Sequence, residues 1–189
     1  FLEKDAFAES GSRTVPVLED GGRWVSESWD IAVYLEQTYP NRASLFGGPR
    51  GMALARFVNA FADMAVLRSL FPMLAKDIEG VLDPENAAYF RESREKRLGQ
   101  TLEAAAEDRD AQRKRFQSAL APVSATLKSQ PYLAGDRPAH ADYLLAGPFA
   151  WAHTVSDFDP LAGEQRVSDW RARMFELFGG MVAESKRAA

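Results

Sequence analysis

The order of secondary-structure signals constrains this chain more than any other feature of it. Two short apolar runs, residues 14–18 and 23–26, flank an acidic Gly-Gly segment, and this pattern predicts a β-hairpin. Apolar residues at helical spacing then predict an amphipathic helix over residues 28–39, which Pro40 ends. Every later signal is helical. The sequence therefore predicts a small α/β segment followed by an all-helical region.

A change of pattern near residue 45 divides the chain. The run Gly47-Gly48-Pro49 is typical of a linker, so we expect a first domain over residues 1–45 and an all-helical domain over residues 46–189. Apolar residues at three-and-four spacing predict that the second domain begins with a helix over residues 52–78.

Caps and breakers predict the next helix boundaries. Asp83 followed by Pro84 is a helix-start signal, with Asp as the cap and Pro at the first helical position. The stretch over residues 85–130 is too long for one ordinary globular helix. We expect it to break at Gly99 or at residues 108–110.

Two further helices are predicted near the end of the chain. The first covers residues 139–154 and contains Pro148, which should kink or locally break it because proline removes one ladder hydrogen bond. The second covers residues 167–178 and should stop at the pair Gly179-Gly180.

Composition excludes several classes of function. The 189 residues contain no cysteine, which excludes disulfides, thiolate metal sites and a protein thiol nucleophile. The formal charge is −4 and basic residues are scattered, so we expect no nucleic-acid partner. We find no apolar run near the roughly 20 residues that span a bilayer, and expect a cytoplasmic protein without a membrane partner. His140 and His153 have no ligand partner at metal spacing, so we expect no metal.

Several short motifs, in their order and separation, resemble those of one family. They are Val-Pro-Val-Leu at 15–18, Val-Ser-Glu-Ser at 25–28, Ile-Ala-Val-Tyr-Leu-Glu at 31–36, Tyr-Pro at 39–40, Tyr-Leu-Ala-Gly-Asp-Arg-Pro at 132–138 and Ala-Asp-Tyr at 141–143. Together they cover nearly the whole chain and resemble the glutathione S-transferases. The first four look like the second half of that family's thioredoxin-like N-terminal domain. The last two look like the motif that opens a central helix of its all-helical C-terminal domain.

The resemblance implies a glutathione S-transferase that conjugates glutathione, its co-substrate, to a small hydrophobic electrophile in detoxification, and it implies a homodimer. Features such as Leu-Phe-Gly-Gly-Pro at 45–49 also resemble the bacterial β-etherase and fungal etherase-related branch. Glutathione-dependent cleavage of β-aryl ethers is therefore one alternative, and a non-catalytic binding module is another. The family's thiol-activating Ser, Tyr or Cys would precede Phe1, so we expect the native protein to continue upstream.

Two pairs of residues are candidates for the glutathione site. From the residues alone the Val15–Pro16 bond would be trans, whereas the resemblance implies a cis bond that lets the main chain of Val15 pair with the ligand. Ser28 begins a helix, where N–H groups favour an anion such as the γ-glutamyl carboxylate, and Glu27 would pair with the ligand ammonium group. The alternative is that Ser26 or Ser28 only caps this helix.

Three aromatic residues, Phe57, Phe61 and Trp151, are candidates for the hydrophobic substrate site. The alternative, which residue type alone favours for each of them and for Phe71, is a place in the core. Asp142 has a structural interpretation. The resemblance places it in a capping box whose usual Ser or Thr is here Ala139, so only the Asp half of the box can form.

Overall fold

The computed structural model describes residues 5–185 and 187, and the chain divides into two compact units, Phe1–Met52 and Ala53–Ala189. The sequence prediction placed the division at residue 45, at the Gly-Gly-Pro linker. The first unit contains a 3-10 helix (Asp5–Ser10), strands β1 (Val17–Asp20) and β2 (Arg23–Ser26), and helix α1 (Ser28–Thr38).

Strands β1 and β2 form the predicted hairpin. They pair antiparallel, with Val17 opposite Ser26 and Asp20 opposite Arg23. The two-residue loop between them, Gly21-Gly22, has φ values of 59° and 85°. Both lie in the left-handed region that glycine adopts freely, as the favoured two-residue hairpin loops require. Strand β1 starts at Val17, later than the apolar run beginning at residue 14, and directly after Pro16, which has no N–H to donate to the ladder. It continues through Glu19 and Asp20, because the loop takes up only the two glycines.

The loop after α1 is held by hydrogen bonds and close packing. The Glu36 carboxylate accepts a hydrogen bond from Leu45 N at 2.7 Å. Phe46 is buried, and its ring centroid lies 5.5 Å from that of Trp29. A Cβ atom on Gly51 would lie 1.8 Å from the Phe46 carbonyl oxygen. Only glycine fits at position 51 without a shift of the main chain.

Helices account for the architecture of the second unit. Helix α2 (Pro49–Phe61), whose residues from Ala53 onwards belong to this unit, continues through a π-helical segment (Ala62–Leu67) into α3 (Arg68–Gly80). The later helices are α4 (Pro84–Leu98), α5 (Leu102–Ala106), α6 (Arg109–Ala119), α7 (Ala121–Thr126), α8 (His140–Val155), α9 (Gln165–Phe175) and the single turn α10 (Leu177–Gly180).

The helical run Pro49–Gly80 is longer than the predicted helix over residues 52–78. By length and composition alone it could cross a membrane, a test that core helices of soluble proteins also pass. The sequence did not indicate this, because no uninterrupted apolar stretch of about 20 residues lies within it. In the second unit, this helix supplies Leu70, Met73 and Leu74, which have no exposed surface and belong to the hydrophobic core.

The predicted caps and breaks of α4 to α6 are present. Asp83 caps α4, and its side chain accepts hydrogen bonds from the main-chain N–H groups of Glu85 and Asn86. Gly99 ends α4 in the left-handed conformation, with φ of 70°. Asp108, also left-handed, begins α6 and accepts from Ala111 N. Both proposed break points are therefore used, and the short helix α5 lies between them.

Helix α8 remains continuous through Pro148, so the predicted local break is wrong. Proline removes one hydrogen bond, but most helix stability in proteins comes from packing of the buried face. On α8 this face includes Leu145, Phe149 and Ala152, all of which lie in the core. Their burial compensates for the lost hydrogen bond.

The last predicted helix ends earlier than the sequence suggested. Helix α9 covers Gln165–Phe175 rather than 167–178. Phe178 and Gly179 both have left-handed dihedral angles, with φ of 56° and 73°, inside the single turn α10. The chain thus leaves the regular helix before the Gly-Gly pair that was expected to stop it.

Candidate functional site

The hairpin register brings the two predicted glutathione-binding pairs to one end of the sheet. Val17 and Ser26 are opposite each other as the last pair of the ladder at that end. Residues 15–16 lead directly into β1, and residues 27–28 follow directly after β2. Neighbouring strands lie about 4.8 Å apart, so these two segments are close to each other.

Val15 presents its main chain at this end of the sheet. The Val15–Pro16 peptide bond is cis, as the resemblance implied. The Val15 side chain is 72% exposed. Within the part of the chain that the structure describes, no residue forms a hydrogen bond with the N–H or the C=O of Val15. An extended peptide can form main-chain hydrogen bonds with such unpaired groups, as an added strand does at the edge of a sheet.

Helix α1 begins without a side-chain cap. Its N-cap residue is Glu27, with φ of 70°, and no side-chain cap hydrogen bond is present. The carbonyl oxygen of Glu27 accepts the first helical hydrogen bond, from Ile31 N at 2.9 Å. The alternative in which Ser26 or Ser28 only caps the helix is therefore wrong. Glu27 and Ser28 are both exposed, so the positive end of the helix dipole faces a position that an anion can reach.

A contact that sequence analysis missed joins the other end of the hairpin to α1. Asp20 Oδ2 accepts hydrogen bonds from the hydroxyl groups of Tyr34 at 2.9 Å and Tyr39 at 2.5 Å. The Arg23 guanidinium lies 4.6 Å from the centroid of the Tyr34 ring. The Tyr39 and Tyr34 hydroxyl groups hold the pKa of Asp20 below its ordinary value, and the Asp20 carboxylate raises the pKa of Tyr39. In the sequence, only the position of Asp20 directly before the Gly-Gly loop pointed to this contact.

The three aromatic candidates do not form one group. Phe61 and Trp151 are partly buried and pack against the core of the second unit, whereas Phe57 is 73% exposed. Trp151 lies parallel to Phe71, with ring centroids 6.1 Å apart and 3° between the planes. Phe71 also lies 6.3 Å from Phe90. The structure therefore pairs Trp151 with Phe71, a residue for which the sequence allowed either a core or a substrate-site role.

Asp142 is completely buried and has the structural environment that was expected. Its carboxylate accepts from Ala139 N at 3.2 Å, which is the half of the capping box that can form. It also accepts from Leu133 N at 2.7 Å, from Ala134 N at 3.2 Å and from Trp170 Nε1 at 3.0 Å. The Trp170 bond joins α8 to α9, and no local sequence pattern indicates it.

His140 and His153 belong to no cluster of metal-ligand side chains in the described part of the chain. Among residues 5–185 and 187, no group of three or more His, Cys, Asp or Glu side chains is arranged to hold a metal ion. Burial lowers the pKa of His140. Burial also lowers the pKa of His153, and the positive charges of Arg187 and Arg171 lower it further.

Comparisons with known proteins decide the family. The model of the glutathione S-transferase C-terminal domain matches residues 53–178, and that of the N-terminal domain matches residues 2–38. The chain belongs to the glutathione S-transferase family. The glutathione S-transferase-like protein ustS of Aspergillus flavus is 29% identical over 138 aligned positions, gaps included, and the match covers 67% of this chain and 50% of that protein. The chain thus spans about half the length of this curated relative.

Solved glutathione S-transferases share the fold. The enzyme CsGST63524 of Ceriporiopsis subvermispora, solved in complex with glutathione, is 24% identical with a TM-score of 0.79, and the match covers 92% of this chain and 78% of that one. The transferase GSTFuA3 of Phanerochaete chrysosporium is 29% identical with a TM-score of 0.69, over 95% of this chain and 75% of that one. The predicted fold class, a partial thioredoxin-like domain followed by a helical domain, is confirmed.

Proposed function

We propose that this glutathione S-transferase family member binds glutathione at the hairpin end and conjugates its thiolate to a hydrophobic electrophile. One observation carries the binding proposal. The hairpin register brings together an unpaired main-chain edge at residues 15–16 and an uncapped helix start at residues 27–28. These are the two kinds of group that a γ-glutamyl peptide needs.

Each part of glutathione has a proposed partner. The N–H and C=O of Val15 pair with the main chain of the cysteinyl residue, as an added strand would. The γ-glutamyl carboxylate lies at the start of α1, where Ser28 and the helix dipole favour negative charge. The γ-glutamyl ammonium group pairs with the Glu27 carboxylate. Two solved neighbours from Ceriporiopsis subvermispora were crystallised with glutathione, which supports the choice of ligand.

The conjugation proposal adds a chemical requirement. A free thiol has a pKa of about 8.5, so an enzyme that uses glutathione must stabilise its thiolate. We assign that role to none of the described residues. For the electrophile we propose an apolar compound, and the partly buried aromatic residues Phe61, Trp151 and Phe71 are candidates to contact it.

We also propose a homodimer, supported by an apolar surface on the long helix. Leu54, Phe57, Met64 and Leu67 are exposed and recur at helical spacing. Exposed apolar surfaces of this kind usually mark interaction sites. Sedimentation analysis of the parent protein and of a Phe57→Glu variant tests the dimer. A monomeric parent would contradict it, as would a variant that is as dimeric as the parent.

Calorimetric titration with glutathione tests the binding site. The double variant Glu27→Ala with Ser28→Ala should lose at least about tenfold in affinity, since it removes one charge and one hydroxyl that contact the ligand. Gln37→Ala, on the exposed side of α1, is the matched control and should bind like the parent. Equal affinity of the double variant and the control would refute this site.

An electrophile screen then tests the reaction. We expect glutathione-dependent turnover of a chlorinated aromatic compound. Turnover of a β-aryl ether alone would instead indicate the ether-cleaving activity. Binding of glutathione without turnover of either compound would indicate a binding module.

A further inference from the structure

The second unit contains a cavity that no part of the proposed function uses. Its volume is about 400 Å³, within the range of small-molecule sites. The walls come from the end of α8, the loop over residues 156–160, helix α9 and the C-terminal segment near Ala183 and Arg187. None of the residues assigned above to glutathione or to the electrophile lines it.

Both arginines of the cavity already have anionic partners. Arg171 Nη1 lies 2.7 Å from Asp159 Oδ1, and Arg187 Nη2 lies 2.8 Å from Asp157 Oδ1. Arg187 also donates hydrogen bonds to two main-chain carbonyl oxygens at the end of α8, His153 O at 3.0 Å and Ser156 O at 2.6 Å. The two positive charges are therefore balanced inside the cavity wall.

One negative charge is left over. Glu176 lines the cavity and is exposed, and no ion pair or side-chain hydrogen bond joins its carboxylate to another residue in the described part of the chain. His153 does not balance this charge, because burial and the neighbouring Arg187 and Arg171 lower its pKa and favour the neutral ring. Among the described residues that line the cavity, the charged groups thus sum to −1.

Apart from Ser156 and Ser168, the uncharged part of the lining is mainly apolar. Ala152 and Phe175 contribute from α8 and α9, and Phe158 and Pro160 contribute from the loop. A ring or a short hydrocarbon chain can pack against such a wall, while a positively charged group is attracted to the Glu176 carboxylate.

We propose that this cavity binds a small organic ammonium ion, with Glu176 as its counter-charge and the apolar lining in contact with its hydrocarbon part. An organic anion fits the site less well, since it would have to displace Asp157 or Asp159 from an arginine and would add to the unbalanced negative charge. The proposal concerns residues of the second unit alone and does not depend on glutathione binding.

Titration followed by ¹H–¹⁵N NMR spectra tests this proposal, with benzyltrimethylammonium as the probe and benzoate as its anionic counterpart. The cation should give saturable shifts in residues 153–160 and 168–176, and benzoate should give none. Glu176→Gln keeps the side-chain shape and should weaken cation binding about fivefold, the effect of losing one part-exposed charge pair. Glu92→Gln, an exposed acid on α4 outside the cavity, is the control and should bind like the parent.

Three results would overturn the proposal. They are saturable binding of benzoate in place of the cation, equal cation affinity of the Glu176→Gln and Glu92→Gln variants, and an absence of saturation with either probe. The spectrum of each variant without ligand shows whether its fold is intact. A folded Glu176→Gln variant therefore makes any loss of affinity attributable to the charge.

Discussion

Replacing Glu27 by glycine should separate the stability of the first unit from its ligand binding. Glu27 has φ of 70° and ψ of 125°, a sparsely populated conformation that costs a non-glycine residue about 1–2 kcal/mol. Glycine removes this cost but adds about 0.5–1 kcal/mol of chain entropy to the unfolded state. The Glu27→Gly variant should therefore be more stable than the parent, by about 0.5–1 kcal/mol.

The same substitution should weaken glutathione binding. It removes the carboxylate that we assign to the ligand ammonium group, and an exposed charge pair of this kind corresponds to about fivefold in affinity. The comparison variant Glu27→Ala also removes the carboxylate but keeps a side chain at this positive φ. It should lose the same affinity and gain no stability.

Urea unfolding and calorimetric titration measure the two effects on the same samples. The expected pattern is a higher unfolding midpoint for Glu27→Gly only, with a similar loss of glutathione affinity in both variants. A Glu27→Gly protein that is less stable than the parent would refute the assigned backbone conformation. Parent-like affinity in both variants would refute the role of the carboxylate.

Three further predictions concern the framework around the site. Asp142→Ala should lower the free energy of unfolding by about 3–5 kcal/mol, because it leaves four buried or partly buried donors without their acceptor. Denaturant unfolding measures this loss, and a value below about 1 kcal/mol would contradict the prediction. Gly51→Ala should destabilise the first unit by about 1–3 kcal/mol through the clash with a carbonyl oxygen, and a parent-like thermal midpoint would count against it. Arg91 holds the pKa of Glu103 and Glu79 below the ordinary 4.5, so the stability from these pairs is present above that pH and is lost as the pH falls through the lowered values. Acid titration of Arg91→Met should therefore show a shallower fall in stability than the parent, and an equal slope would refute the assignment.

The sequence predicted best those features that depend on local backbone chemistry. The Gly21-Gly22 loop, the Asp83 cap and the left-handed end of α4 at Gly99 all follow from what one or two residues allow. The start of α1 at Ser28 was also predicted. The register of the hairpin that precedes α1 brings the two candidate binding pairs together.

Features that depend on contacts distant in sequence could not be predicted. The hydrogen bond from Trp170 to Asp142 spans 28 positions, and the one from Tyr39 to Asp20 spans 19. Pro148 illustrates the same limit, since a local rule predicted a kink or a local break, and the helix continues through Pro148 with a buried face on both sides of it. Aromatic composition likewise could not distinguish Phe57, which is exposed, from the partly buried residues that pack on the core.

Calorimetric titration of glutathione into the parent protein tests the central claim most directly, namely that the hairpin end at residues 15–16 and 27–28 is a glutathione site. We predict saturable binding with one site per chain, together with a loss of at least about tenfold in affinity in the Glu27→Ala, Ser28→Ala double variant. A folded parent protein that shows no saturable heat with glutathione would contradict the claim.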